Sequence, residues 1–474
     1  MRPQGVNRTW AWLAFGSVAQ TILLGGFFLV PFSHLWAVMP SQRVDTESAA
    51  TSGNWQEPLA IAFFFAVPTL LPFLLLLRHG RVNVDWQVPM SALAVGLIVL
   101  PAVVSLATYP CCTSDVLDYV NRQRLWVVYD ANPFSVIPSQ YPDDWSYVFV
   151  SYNNAAFAYG PVWWLIVRAF TQGADGVAGY LVGYKVIAAI CFGLSLALIW
   201  RMSDTRQRLP NLVFFAWNPV ILVDGLLRLH NDLITLPFVL AAVWLWGRGR
   251  VSSALVATTL GTLVKLIVAP LGLVLVIALL GARRWRALTS GAIAAAVVAA
   301  ALYAPFWFGL GTLQPLVSQS GNLHWSLGSA LVYALGPTSL GLVRWVLIGA
   351  CLGLWAVCLK QVSRGEPTSA RVAATGSLLV LIGLLAVPMA FYSHYLTPVI
   401  ALAAVAGDAR LRSLVLAVSF GSMVNAVLGV DSLAGGLGGD LLDVTGSSVL
   451  IVALGVALVR GRWLDGLRGA RSAA

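Results

Sequence analysis

Long apolar blocks separated by short basic segments organise this chain. Blocks of about 20 apolar residues, the length that crosses a ~30 Å hydrocarbon layer, fall at 10–30, 59–77, 90–108, 180–200, 288–308, 340–357, 373–390, 411–428 and 448–459. Shorter or broken blocks lie between them. The pattern predicts an all-α polytopic membrane protein, one transmembrane domain over residues 1–474, with about 11–13 crossing helices. The first block is longer than the roughly 7–15 apolar residues of a signal core, and no small-residue cleavage site follows it, so it is expected to be retained.

Two places break the in-and-out count. Residues 251–282, between basic segments ending at Arg250 and starting at Arg283, are too many for one crossing and have the wrong parity for it. Two short helices turning near Lys265 fit better. Residues 161–170 are too few to cross and read as a re-entrant helix. Irregular backbone at membrane depth survives only where protein or a water-filled cavity covers it. Both breaks therefore point to a cavity opening on the outer side.

Charge sets the orientation. Arg2 and Arg8, Arg78 and Arg81, 201–208, Arg248 and Arg250, 283–286, 360–371, Arg410 and Arg412, and the tail from Arg460 are the basic segments, which cytoplasmic retention places inside. The N-terminus is then cytoplasmic, and 33–55, 109–160, 226–232, 309–326, 391–395 and 430–445 face outward. Segment 109–160 is the long polar one and holds five of the nineteen acidic residues. Within it, 114–128 reads as an amphipathic helix capped by Thr113 or Ser114, expected to lie along the membrane interface.

Composition narrows the function classes. The chain is 59% hydrophobic and 10% charged, against about 25% charged in soluble domains. The net charge of +10 is carried by the short basic loops, so no nucleic-acid partner is expected. Five cysteines without a CxxC pair point to neither metal nor redox chemistry. The sequence has no GxxxxGK[ST], HExxH or GxSxG pattern, which disfavours an ATP-driven pump and the common zinc and serine hydrolases.

Charges within or at the rim of a membrane are costly and are functional candidates by default. On the outward side these are Asp115, Asp118, Arg122, Lys185, Asp224, Arg228, His230, Asp232, Lys265, His324, Arg344 and His394. Asp115 and Asp118 share a helix face; either could take a proton from an attacking hydroxyl, or Asp115 could simply complement the helix dipole. Lys265 could hold a phosphate, as could Arg228 and Lys185, or snorkel to lipid headgroups. His230, Asn231 and Asp232 form a compact polar cluster that could bind sugar as well as cap a helix. His394 and Tyr395, with Tyr392, read as aromatic-belt residues or as a sugar-binding edge.

Four stretches carry a family resemblance: TSDVLDYVNRQRLWVVYDANPFSV at 113–136, AYGPVWWLI at 158–166, RLHNDLITLPFVLAAVWL at 228–245 and ALVATTLGTLVKLIVAPLGLVL at 254–275. In order and spacing they resemble the GT-C superfamily of membrane glycosyltransferases, and within it the bacterial mannosyltransferases that use polyprenyl-phosphate-mannose. The resemblance implies a GT-C-like bundle with a long outer catalytic loop carrying amphipathic helices. It implies that Asp115, in Ser-Asp-Val-x-x-Tyr, is the catalytic base, with Asp118 the runner-up. It further implies that Tyr159 belongs to an aromatic-Pro element, here with Gly160 where paired prolines are frequent, and that Lys265 binds donor phosphate.

The expected function is an inverting transfer of a sugar, mannose, from a polyprenyl-phosphate donor to an extracytoplasmic glycolipid, glycan or protein. No cofactor is required by that chemistry. A divalent metal, used by some members of the superfamily, is not expected. The rival readings are a lipid or lipid-linked-sugar flippase, which the missing internal repeats disfavour, and a non-enzymatic scaffold.

Overall fold

The computed structural model describes residues 4–29, 90–110, 115–150, 152–315, 326–386 and 391–428. The apolar blocks at 59–77 and 448–459, the caps Thr113 and Ser114, and His324 lie outside the described residues. Among the described residues the secondary structure is helical without strands.

In chain order the helices are α1 (Gln4–Leu24), α2 (Met90–Ala107), α3 (Asp115–Tyr129), α4 (Pro161–Thr171), α5 (Gly176–Met202), α6 (Arg208–Ala216), α7 (Asp232–Gly247), α8 (Val251–Thr262), α9 (Ala269–Gly281), α10 (Trp285–Tyr303), α11 (Leu327–Leu335), α12 (Leu340–Leu359), α13 (Ser369–Ala386), α14 (Thr397–Val405) and α15 (Ala409–Leu428). By length and composition Gly176–Met202, Trp285–Phe306, Pro337–Leu359 and Ser369–Ala386 can each cross a membrane. A fifth span is available if α6 and the segment after it count as one bent element. These spans are those of the described residues alone, whereas the 11–13 expected crossings are counted over the whole chain. The two short helices expected between Arg250 and Arg283 are α8 and α9, each too short to cross a ~30 Å layer alone at 1.5 Å per residue.

The core is organised around α7, which packs against α5, α8, α13 and α14. Its long apolar residues Leu233, Leu236, Leu240 and Val243 are buried. Helices α10 and α12 lie at the periphery, and Ile293, Leu342 and Trp345 are exposed there, as expected of lipid-facing positions. The break near Lys265 is present: α8 ends at Thr262, a single turn of 3-10 helix spans Leu266–Val268, and α9 follows. The short helix expected at 161–170 is α4, opened by Pro161 at its first position, where a missing N–H costs nothing.

Helix α3 differs from expectation. It was expected to rest on the interface with one polar face, but residues Val116 to Gln123 are all buried. The polar side turns inward because Arg122 finds partners there. It reaches Asp118 at 2.7 Å and donates to the carbonyls of Tyr152 and Ala155, each at 2.8 Å, and it lies 4.6 Å from the Phe157 ring centroid. A buried guanidinium satisfied by a carboxylate and two carbonyls is affordable where an unpaired one is not. The ties also pin the loop leading to α4 against α3.

Between α6 and α7 the chain is unusual. After Pro219 the segment Val220–Leu227 is π-helical and bends 53° from α6. Two residues beyond its end, Leu229 has a φ of +62°, in the left-handed region, disfavoured for an L-residue with a side chain by roughly 1–2 kcal/mol. Such strain persists only where neighbours enforce it. Here the His230 N–H donates to the Asp224 carbonyl at 3.0 Å, and the Lys185 ammonium donates to the carbonyls of Ser105, Leu226 and Leu227 at 2.9–3.2 Å.

Candidate active site

Five chain segments converge on one polar cluster: the start of α3, the loop before α4, the turn from the π-helical segment into α7, the break between α8 and α9, and the turn before α14. Asp115 opens α3 and keeps its carboxylate about one-third exposed, with Oδ2 3.2 Å from Nδ1 of buried His230. Burial pushes the Asp115 pKa up, but the His230 contact and the charges of His230, Lys265 and Arg228 outweigh it and hold the carboxyl below its ordinary range. The carboxyl is therefore biased toward its ionised form, with about one-third of the side chain exposed.

The imidazoles of His230 and His394 stack with ring centroids 3.9 Å apart and planes 12° from parallel. Tyr392 lies nearly parallel to His394 at 5.5 Å, and Tyr395 meets it edge-on at 4.6 Å. His394 Nε2 lies 4.0 Å from Asp232 Oδ2. The same Asp232 oxygen accepts from Lys265 Nζ at 2.7 Å, and Asn231 Oδ1 lies 3.4 Å from that nitrogen. The ammonium is further flanked by the Tyr395 ring at 4.4 Å and the Tyr159 ring at 5.3 Å, each offering a negative face to a cation. Lys265 is thus caged, with two of its three N–H donors directed at Asp232 and Asn231.

Lys265 sits where it does because α4 is stitched to the α8–α9 break. Gly160 donates its N–H to the Val264 carbonyl at 3.2 Å, and Val162 donates to the Leu263 carbonyl at 3.1 Å. A Cβ on Gly160 would lie 2.1 Å from the Leu263 oxygen. This explains why a proline is absent at position 160: proline has no N–H to give, and the Leu263 backbone occupies the space its side chain would need.

Asp115, His230, Asn231, Asp232, Lys265, Tyr159, His394 and Tyr395 therefore share one site. Arg228 stands at its edge, paired with Asp224 at 3.1 Å and close enough to lower the Asp115 pKa. Asp118, with its partner Arg122, and Lys185 stand apart, as does Arg344 on the peripheral α12. Asp118 faces Arg122 inside the fold, and Lys185 is buried with its ammonium on three main-chain carbonyls, which closes the π-helical segment rather than addressing the cluster.

Sequence reasoning did not single out Ser393, which donates to Asp224 Oδ2 at 2.5 Å and ties the His394 turn to the π-helical segment. A serine two residues from a tyrosine gave no signal for a pairing across so many residues. Arg124 and Asp144 were also missed, although Asp144-Trp145-Ser146 has the form of a cap or Asx turn.

Asp115, His230 and His394 offer ligand atoms within 4.8 Å of one another. Their fit to a metal is poor as they stand. Two nearly parallel imidazoles aim their in-plane lone pairs side by side rather than at a common point, so one ring would have to turn.

A family model described as alpha-(1->6)-mannopyranosyltransferase, N-terminal domain, matches residues 13–283, more than half of the chain. No curated protein matches. Among solved structures, the crystal structure of ArnT from Cupriavidus metallidurans in the apo state is similar at 15% identity over 77% of this chain and 75% of that one, with a TM-score of 0.44.

Proposed function

The chain belongs to the alpha-(1->6)-mannopyranosyltransferase family and is a membrane glycosyltransferase; on that premise we propose that it transfers mannose, by inversion, from a polyprenyl-phosphate donor to an extracytoplasmic glycolipid, glycan or protein. The reading is carried by one juxtaposition: the ionised, part-exposed Asp115 carboxylate lies in the same cluster as the caged Lys265 ammonium.

In this reading Asp115 accepts the proton of the acceptor hydroxyl. That oxygen attacks the anomeric carbon while the bond from the carbon to the phosphate oxygen breaks, and polyprenyl phosphate departs with the electron pair. Lys265 and Arg228 stabilise the charge gathering on the leaving phosphate, where positioned cations act most strongly. His230 holds the Asp115 carboxylate in place, and Asn231, Asp232, Tyr159, His394 and Tyr395 line the sugar. No cofactor enters this scheme.

The experiment is transfer of radiolabelled mannose from polyprenyl-phosphate-mannose to a membrane-lipid extract by purified protein, beside Asp115→Asn. Loss of a general base lowers the rate by roughly 10²–10⁴-fold, with folding unchanged. Native-level transfer by Asp115→Asn would remove Asp115 from this role. No transfer by the native protein, repeated with other polyprenyl-phosphate sugars, would remove the reading itself.

A further inference from the structure

We infer that the exposed aromatic surface at the far end of α3, built on Trp145 and Tyr129, is a docking platform for an extended, uncharged oligosaccharide: the glycan acceptor of the transfer reaction proposed above, a reading on which the inference rests.

Trp145 and Tyr129 are each 41% exposed, yet neither ring is loose. One face of the Trp145 indole rests on the Arg124 guanidinium, whose carbon lies 4.4 Å from the ring centroid. Arg124 is held by Asp144 at 2.8 Å, and the same carboxylate accepts from the Tyr129 hydroxyl at 3.1 Å and from the Ser146 N–H at 2.9 Å. Tyr141 packs on Tyr129 with centroids 4.6 Å apart. Asp144 itself is buried.

Two large rings left uncovered by the protein forgo burial within it. A buried carboxylate that fixes both of them is the arrangement a ligand needs if it is not to bear the cost of ordering them. The open faces suit a sugar, whose C–H face packs on an aromatic ring while its hydroxyls bond to polar groups around the rim.

The chemistry of the rim selects the partner. Residues 125–160 contain Asp130, Asp143 and Asp144 and no Lys or Arg, and Asp130 and Asp143 are exposed. The one basic group at these rings, Arg124, is paired with Asp144, which leaves the exposed Asp130 and Asp143 to give the surface an acidic balance that repels anionic lipid headgroups, whereas juxtamembrane segments that bind them are basic. Carboxylates beside aromatic rings accept hydrogen bonds from sugar hydroxyls equally well.

Position adds the length of the ligand. Trp145 rests on Arg124, nine residues along α3 from Asp115, about 14 Å at the helical rise, and Tyr129 is about 21 Å away. At that separation a single sugar reacting at Asp115 is too short to touch these rings, and only a ligand several sugars long has the length to meet both.

The test uses the full-length protein in nanodiscs with α-1,6-linked mannooligosaccharides, short and long, and the variants Trp145→Ala, Tyr129→Ala and Trp145→Phe. Two quantities are read: equilibrium binding by calorimetric titration, and the ratio of kcat/KM for long over short acceptors. Trp145→Ala and Tyr129→Ala should each weaken long-chain binding, and lower the ratio, by roughly tenfold, and Trp145→Phe should recover most of it. Equal binding of short and long chains by the native protein, or an unchanged ratio in Trp145→Ala, overturns the platform. So does a Trp145→Ala effect confined to association with anionic vesicles. Long-chain binding through Trp145 by a protein that transfers no sugar leaves the platform standing and removes the transferase reading.

Discussion

Gly160→Ala tests whether the seam between α4 and the α8–α9 break positions the active site. The added Cβ would stand 2.1 Å from the Leu263 oxygen, 2.6 Å from its carbonyl carbon and 2.9 Å from its Cα. These are main-chain atoms, so no side-chain rotation relieves the clash and the two segments must part. Overpacking of this kind costs roughly 1–3 kcal/mol. Parting also stretches the hydrogen bonds from Gly160 to Val264 and from Val162 to Leu263, each worth about 0.5–1.5 kcal/mol. A combined loss of about 2–4 kcal/mol follows, short of the sum because relief of the clash and loss of the bonds are one movement. Lys265 immediately follows this seam, and a displacement near 1 Å can cost ~10²-fold in rate. The assays are thermal unfolding in detergent and the sugar-transfer rate. Gly193→Ala is the control: a Cβ there meets nothing within 4 Å, and in the middle of α5 it should be neutral or stabilising by up to about 1 kcal/mol. Native stability and native rate in Gly160→Ala would refute the seam as a positioning device.

Three further outcomes separate structure from chemistry. Asp118→Asn leaves the buried Arg122 without its carboxylate and should lower stability by about 3–5 kcal/mol, unlike Asp115→Asn; denaturation curves of the two variants compare them. Lys185→Met strips three carbonyls of their donor and should destabilise by roughly 2–5 kcal/mol, whereas a rise in donor KM at full stability would return Lys185 to phosphate binding. The contacts from Arg124 and Ser146 lower the Asp144 pKa from 3.8 to about 2 against the opposing effect of burial. A depressed carboxyl contributes stability above its unfolded pKa and loses it as pH falls through the folded one. The thermal midpoint of the native protein should therefore drop between pH 4 and pH 2, and that of Asp144→Asn should drop less.

The helical membrane fold was legible in the apolar blocks, and the residues of the polar cluster in their charge. Asp115, His230 and Lys265 stood out because charge in apolar surroundings is costly, and the described structure does bring them together. The break at Lys265 followed from counting residues between basic loops. The orientation of α3 did not follow: an amphipathic pattern records that one side is polar, not whether that side meets water or a buried partner. Here Asp118 and Arg122, four residues apart, already had the spacing of an ion pair. The place of Lys185 was not legible, because its main-chain acceptors, the carbonyls of Ser105 in α2 and of Leu226 and Leu227 in the π-helical segment, leave no mark in a pattern of side chains.

That register has a consequence for how the protein tolerates change in length. Successive residues of an α-helix are about 100° apart around its axis. Removing one residue from Val220–Leu227 would let the segment relax into an ordinary α-helical ladder, which is locally the more favourable winding. Everything after it would then swing through about that angle, carrying Arg228 and His230 off the site. The segment works as a phase shifter: a single-codon deletion there would turn the buried face of α7 away from α5, α8, α13 and α14, so it should cost the fold as well as the site.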